Sequence, residues 1–258
     1  MSQLGRLLLV PAPLDFGCEV QAPLSDVLPA LTLQTAAGLK HWVCENAKTA
    51  RAYLKRVHEL YPLAEAIQAL HIQELPREVH KKGDHDSTRG PAFDPKTLLA
   101  AALSGHDVGL LSEAGMPAVA DPGASVVRAA HDLGIEVVPL TGPVSLLLAL
   151  AASGLSGQNF AFVGYLPTDA TQRAQRIKAL ESLALKTGQT QLFIETPYRN
   201  QALLQALLQH LEHNTRLSVS AGITLPDATT TTSKSVKAWK QTPMAISNHT
   251  PAVFAIGR

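Results

Sequence analysis

Four consecutive apolar residues, Leu7-Leu8-Leu9-Val10, followed by Pro11 and Pro13, form the first patterned segment of the chain. A short run apolar on both faces and stopped by prolines predicts a buried strand of a parallel sheet leading into a loop. His41-Trp42-Val43-Cys44 is a weaker strand segment. From residue 49 the period changes. Ala50, Tyr53, Leu54, Val57, Leu60 and Tyr61 recur at helical spacing until Pro62, with Lys48, Arg51, Lys55 and Arg56 on the opposite side. That pattern predicts an amphipathic helix ended by the proline. Residues 76–95 carry no period and read as a long exposed loop, whose part 80–92 is expected to act as a mobile arm. Order returns with a short helix at 96–103, a strand at 107–112, a helix at 125–133 closed by Gly134, and a strand at 135–140. The wholly apolar segment 144–153 predicts a helix buried on every side. Strands separated by helices imply a parallel α/β sheet.

The segment Gly154-Leu-Ser-Gly-Gln-Asn159 is the best candidate boundary, giving a domain at 1–157 and a second at 158–258. Beyond it lie a strand at 160–163, an amphipathic helix near 172–185, a strand at 191–195 and a helix near 200–213. Strand character without long helices follows at 217–223, 229–232 and 252–256. The second half therefore reads as a mixed, largely antiparallel sheet with helices; its threonine run suits a strand.

Composition narrows the setting. With 22 Lys and Arg against 21 Asp and Glu, the 258-residue chain has a net charge of +1, so a nucleic-acid partner would need a local basic patch. Two cysteines, Cys18 and Cys44, make no disulfide framework and suit a reducing cytoplasm. No leader pattern is found, and the longest apolar stretch is too short to span a bilayer, so no membrane partner is expected.

Common cofactor signatures are absent. There is no Gly-x-Gly-x-x-Gly, no P-loop, no Gly-x-Ser-x-Gly and no His-Glu-x-x-His, and the cysteines lack metal-ligand spacing. Instead, glycine and proline cluster where predicted strands end, at Ser112-Glu-Ala-Gly115-Met-Pro117-Ala-Val-Ala-Asp121-Pro122-Gly123 and at Pro139-Leu-Thr141-Gly142-Pro143-Val-Ser145. Glycine admits a close backbone approach, proline fixes a loop before binding, and ligands of open α/β sheets bind beyond strand C-termini. One such loop is an ordinary tight turn; two on successive strands point to a pocket. Asp121 reads as the cap of the following helix. A histidine such as His58 or His131 reads as a helix-surface residue.

These two segments, with Ala-Ser-Gly-Leu at 152–155, Phe-Val-Gly-Tyr-Leu-Pro at 162–167 and Phe-Ile-Glu-Thr-Pro-Tyr-Arg at 193–199, resemble the tetrapyrrole methylase superfamily of S-adenosylmethionine (SAM)-dependent methyltransferases. Within it they are similar to the branch that 2′-O-methylates cytidine in bacterial small-subunit rRNA. The resemblance implies a two-domain α/β fold, a parallel-sheet N-terminal domain and a mixed-sheet C-terminal domain, with SAM in the cleft between them. It also implies a homodimer. Carried over by motif, Ser112, Glu113, Ala114, Gly115, Met116 and Pro117, with Thr141, Gly142, Pro143 and Ser145, would line the SAM pocket. Glu195, Ala221 and Gly222 would supply the second-domain wall. No metal is required.

The departures lie toward the acceptor. The branch pattern Thr-Pro-Ile-Gly-Asn-Leu is here Ala12-Pro-Leu-Asp-Phe-Gly17, Glu-Asp-Thr-Arg is Glu45-Asn-Ala-Lys48, and Ser-Asp-Ala-Gly-Thr-Pro is Ser112-Glu-Ala-Gly-Met-Pro117. Glu45 and Glu113 are the candidate acids for a proton role, since a ribose hydroxyl needs a positioned base; a loop cap or surface charge is the alternative. Lys48, Arg51 and Lys55, with Lys81, Lys82 and Arg89, could track an RNA backbone or simply form a solvated face. The expected acceptor is a ribose 2′-hydroxyl of rRNA, with the small ribosomal subunit as partner. A small molecule such as a tetrapyrrole, or SAM binding without transfer, stays open.

Overall fold

A computed structural model describes residues 3–76, 93–226, 229–242 and 244–258. Packing divides the chain into two units, Met1–Phe16 with Ala22–Val144, and Gly17–Gln21 with Ser145–Arg258.

In the first unit, β1 (Leu7–Val10), β2 (His41–Cys44), β3 (His71–Glu74), β4 (Val108–Leu111) and β5 (Val137–Pro139) form a sheet ordered β3-β2-β4-β1-β5. Every pairing in it is parallel, as the strand–helix alternation predicts. The two-residue period of the strands sorts side chains to opposite faces. Leu8, Val10 and Trp42 join one apolar cluster with Leu54 and Val57, while Leu7, Val43 and Leu110 join another with Val126 and Ala130. Gly109 in β4 lets the Trp42 ring lie flush on the sheet, because a Cβ there would fall 2.7 Å from the indole.

Helices α1 (Leu24–Val27), α2 (Ala30–Gly38), α3 (Ala47–Leu60), α4 (Ala100–Leu103) and α5 (Ala124–Asp132) flank these strands in sequence. Asn46 starts α3 by accepting the Lys48 and Thr49 amides, and of the predicted apolar face Ala50, Tyr53, Leu54 and Val57 are buried, whereas Leu60 in the last turn is 46% exposed and Tyr61 half-buried. Three elements of this unit were not legible in the sequence, the first being α1, a single turn of four residues. The α2 segment ALTLQTAAG has no polar face to contrast with its apolar one. β3, HIQE, is an edge strand whose side chains are largely exposed.

In the second unit, α6 (Ser145–Ser153), β6 (Phe160–Tyr165), α7 (Ala170–Thr187), β7 (Thr190–Glu195), α8 (Asn200–His210), β8 (Arg216–Ala221), β9 (Thr230–Ser235), α9 (Val236–Gln241) and β10 (Ala252–Gly257) follow in order. The sheet runs β6-β7-β10-β8-β9, with β6 and β7 parallel and the other pairs antiparallel. This is the mixed sheet expected. β10, AVFAIG, is buried throughout at its centre, where Phe254 stacks on Phe193 at 5.9 Å.

Two expectations are corrected here. The division falls between Val144 and Ser145 rather than at 157/158, because α6 packs on β8, β9 and β10. Nor is α6 buried all round. Leu146, Ala149, Leu150 and Ser153 face the core, while Leu147 and Leu148 are 50% and 41% exposed. Among the described residues, no helix is long and apolar enough to cross a membrane.

Candidate functional site

Because the first sheet is all parallel, its strand C-termini share one edge, the edge at which open α/β sheets bind ligands. Three loops leave it from β1, β4 and β5, and they brace one another. Ala12 and Gly115 exchange backbone hydrogen bonds of 2.9 and 3.0 Å, joining the loops after β1 and β4. Gly115 holds φ +71°, and a Cβ on it would lie 3.2 Å from Leu14 Cδ2 and 3.6 Å from the Pro143 carbonyl. Gly142 sits so close to Pro11 that a Cβ would meet its ring at 2.3 Å. The Thr32 hydroxyl donates to the Thr141 carbonyl at 2.8 Å, fixing the loop after β5 onto α2. Ser112, Pro117 and Pro143 are buried, while Glu113, Ala114 and Met116 remain partly accessible. Farther along, Ala118 and Ala120 have φ of 64° and 65°, and Gly123 has 129°. Left-handed alanines each cost on the order of 1–2 kcal/mol, strain of a kind that concentrates at functional loops.

The acids of this edge form a linked group. Glu45, just past β2, accepts the Glu113 backbone N–H on Oε1 at 3.3 Å, and Glu113 Oε1 accepts from the Thr49 hydroxyl at 3.3 Å. Glu74, the last residue of β3, accepts the Ala47 amide at 2.6 Å and so steadies the start of α3. Asp121 joins them electrostatically. Its carboxyl is pushed up to about 7, first by burial and then by the charges of Glu45 and Glu113. Asp121 is therefore not the helix cap read from the sequence, since Gly123 occupies the N-cap of α5 with no side-chain cap bond. The sequence signal that could have found it is its place in the same β4 loop as Glu113.

The basic residues separate. Lys48, Arg51 and Lys55 are exposed on α3 as expected. Arg56, on the same predicted side, instead turns to the loop after β1. It pairs with Asp15, which is 3% exposed, at 3.2 and 2.9 Å and donates to the Ala22 carbonyl at 2.7 Å. Asp15 stands where the related branch has a different residue, so this departure carries its own counter-charge. Lys81, Lys82, Arg89 and the expected arm at 80–92 lie outside the described residues.

In the second unit, Glu195 ends β7 at 7% exposure, with its carboxylate engaged by its own turn. Its Oε1 accepts the Thr196 amide at 2.8 Å and pairs with Arg199 at 2.8 Å, and Arg199 also reaches the Thr196 hydroxyl at 3.0 Å. Ala221 ends β8, and Gly222, at φ +62°, donates to the Pro251 carbonyl at 3.0 Å. Asn200 ties the same region by donating to the Thr250 carbonyl at 2.9 Å. Among the described residues, no group of three or more His, Cys, Asp or Glu could hold a metal ion.

The geometry has relatives. Residues 33–237 match the family described as Tetrapyrrole (Corrin/Porphyrin) Methylases. A Mesorhizobium japonicum protein named Ribosomal RNA small subunit methyltransferase I is 34% identical over 192 residues, 74% of this chain and 57% of its own length. A Bacillus subtilis protein of that name is 38% identical over 210 residues, 81% of this chain and 61% of its own. The chain thus spans about three fifths of the length of these curated relatives. Among solved structures, uroporphyrin-III-C-methyltransferase from Thermus thermophilus superposes with a TM-score of 0.54 at 18% identity, covering 98% of this chain and 94% of that one. The methyltransferase CobJ gives 0.56 at 14%, with the same coverage of both chains. At those identities the likeness is one of fold. The family match covers most of the chain and strands of both sheets, and on that ground the chain belongs to the tetrapyrrole (corrin/porphyrin) methylase family.

Proposed function

We propose that the chain is a SAM-dependent methyltransferase whose acceptor is a ribose 2′-hydroxyl of small-subunit rRNA, acting as a cytoplasmic homodimer. The observation that carries this reading is the braced edge of the first sheet, where three Gly/Pro loops meet beside Glu45, Glu113 and Asp121. The names of the relatives that match most of the chain support the choice of acceptor.

The residues present fit SAM in charge. A ligand carrying a sulfonium and an ammonium suits an edge with three carboxyls, where Asp121 is raised first by burial and then by the charges of Glu45 and Glu113. SAM supplies a methyl group already made electrophilic by its sulfonium. The chain's work is then mainly positioning. The pairing of Ala12 with Gly115, the packing of Gly142 on Pro11 and the tie from Thr32 to Thr141 fix the loops in advance, so little order remains to be imposed on binding. Glu45 takes or orients the hydroxyl proton of the acceptor, while its bond to the Glu113 amide holds the two strand ends in register.

Calorimetry with SAM and S-adenosylhomocysteine tests the first step, with micromolar-range binding expected. Transfer of labelled methyl to small-subunit rRNA, with mapping of the modified nucleotide in a strain lacking the protein, tests the second. Glu45→Gln should keep SAM and RNA binding and slow transfer by roughly 10²-fold. Full transfer by this variant removes the base assignment. Transfer to a tetrapyrrole and not to RNA replaces the acceptor, and SAM binding without any transfer removes the enzymatic reading.

A further inference from the structure

Charge is unevenly distributed along the chain. Residues 145–258 hold ten of the 22 Lys and Arg but only five of the 21 Asp and Glu. Two of those ten, Arg173 and Lys178, share one groove. An open groove of about 460 Å³ runs between α7 and α8, bordered by Arg173, Lys178 and His210 with Thr171, Gln175 and Gln209. Its origin is a packing one. Thr171, Ala174, Gln175 and Lys178 recur at i, i+3, i+4 and i+7 on α7, and Ala206, Gln209 and His210 at i, i+3 and i+4 on α8. The apolar faces of the same helices, Ile177 and Leu180 on one and Leu203, Leu204 and Leu207 on the other, are consumed by the core. On the groove side, Ala170, Ala174 and Ala206 have no side chain long enough to close the gap, and polar and cationic groups form the rim.

Among the described residues, no carboxylate lines this groove. The acids of the surrounding elements are engaged or lie beyond it. Asp169 caps α7 by accepting the Gln172 amide at 2.9 Å. Glu181 is buried and accepts from the Glu212 amide and the Thr215 hydroxyl. Glu212 follows the end of α8. Arg173 keeps one bond, to the Thr168 carbonyl at 3.3 Å, and a guanidinium has further donors for a second partner. Along α7, Thr171 to Lys178 spans roughly 10 Å at the helical rise, so donors are offered along a line and not at a point. A groove with two permanent cations, a histidine and amide and hydroxyl donors, and no acid among the described residues, fits an extended polyanion.

We propose that the groove between α7 and α8 binds the phosphate backbone of the RNA acceptor, a contact separate from the loops at the edge of the first sheet. The inference rests on the proposed RNA acceptor, and it assigns a positioning role, without base readout. Phosphate contacts fix register and strength of binding while leaving sequence to be read elsewhere.

The test is fluorescence anisotropy of a short labelled single-stranded RNA and of small-subunit rRNA at several salt concentrations, paired with calorimetry for SAM. Arg173→Gln with Lys178→Gln should raise the RNA dissociation constant roughly three- to tenfold and make the salt slope shallower by roughly 1.4, with SAM affinity unchanged. Ala174→Glu, which leaves both cations and places a carboxylate in the groove, should weaken RNA binding in the same direction. Wild-type affinity and slope in both variants overturn the inference while the RNA acceptor stands. An equal loss in Lys237→Gln with Lys240→Gln, which do not line the groove, overturns it in favour of net charge. Unchanged affinity for naked RNA with failure only on the assembled small subunit overturns it in favour of a ribosomal protein. A wild type with no salt-dependent RNA affinity and no rRNA methylation overturns the proposed function, and this inference with it.

Discussion

Gly115 and Gly142 show how much of the candidate site is decided by single atoms. The sequence alone suggests that a side chain at Gly115 would occupy space needed by a ligand. The structure gives a different reason: φ is +71°, and the first atom of any side chain meets Leu14 at 3.2 Å. Gly115→Val should therefore abolish SAM binding by displacing the loop from Ala12, and it should also lower stability by roughly 1–2 kcal/mol or more, the scale of a left-handed residue with a Cβ. Gly134 supplies the control. It has φ +70° and open space around its Cβ, at the end of α5. Gly134→Ala should cost similar stability with SAM affinity intact; equal loss of SAM binding in both would mean that strain alone explains Gly115. Asp121 gives a pH test. Its folded-state value of about 7 lies above the ordinary 3.8, so its contribution to stability is fully present below pH 3.8 and is lost as pH rises through 7. Asp121→Asn should melt higher than wild type at pH 8, by roughly 2–4 °C for each kcal/mol relieved, and equally at pH 4. A cationic ligand beside this group lowers its value. SAM binding at pH 7 should release protons, seen as a buffer-dependent heat, and S-adenosylhomocysteine, without the sulfonium, should release fewer.

At the scale of elements, α3 is where sequence and structure agree most closely and where the agreement stops. Its apolar stripe and its end before Pro62 follow from the sequence, and the period selects every buried residue, although it also selects Leu60, which the last turn leaves exposed. The same period assigns Arg56 to the solvated face, but a periodicity cannot register an acid brought near by the loop after β1, and Arg56 is claimed by Asp15. Lys48, Arg51 and Lys55 have no such partner from the loop and stay exposed. If they contact RNA phosphates, replacing all three by Gln should raise the RNA dissociation constant and flatten the salt slope by roughly 0.7–0.9 per residue, with SAM affinity unchanged. Normal RNA affinity in that variant would make the stripe a solvated face. Strand β1 was legible because it is apolar on both sides. β3 was not, since an edge strand with a polar surface lacks the alternation that marks a half-buried one. The Gly/Pro loops were legible as loops. Their mutual bracing arises from strands β1, β4 and β5 becoming neighbours, and the place of Asp121 beside Glu45 and Glu113 from β2 pairing with β4, which no local pattern encodes.

For the whole molecule, the exposed side of α6 bears on assembly. The helix has no charged residue, and its outward positions include Leu147 and Leu148 at 50% and 41% exposure, with Ala151 and Ala152 exposed beside them. Water-facing leucines singly need no explanation, but two adjacent ones with alanines on one charge-free helix form a surface that gains by being covered. A second copy is a suitable cover, because a two-fold axis sets a patch against itself and an uncharged patch meets no repulsion there. Sedimentation at micromolar concentration should then give twice 27.4 kDa. Leu147→Asp with Leu148→Asp should give 27.4 kDa. The fold should survive, since Leu146, Ala149 and Leu150 hold the core side of the helix and are unchanged. Far-UV circular dichroism separates this outcome from unfolding. A wild type that sediments at the single-chain mass removes the dimer. A dimer that persists in the aspartate variant, with α6 intact, moves the interface to another surface. Where the aspartate variant is monomeric, its RNA titration adds a further reading. A dimer offers two α7–α8 grooves to one RNA, and a monomer offers one. If both grooves engage the same RNA, the folded monomer should lose RNA affinity by more than the groove variants do, because a second contact on a tethered copy acts at high effective concentration.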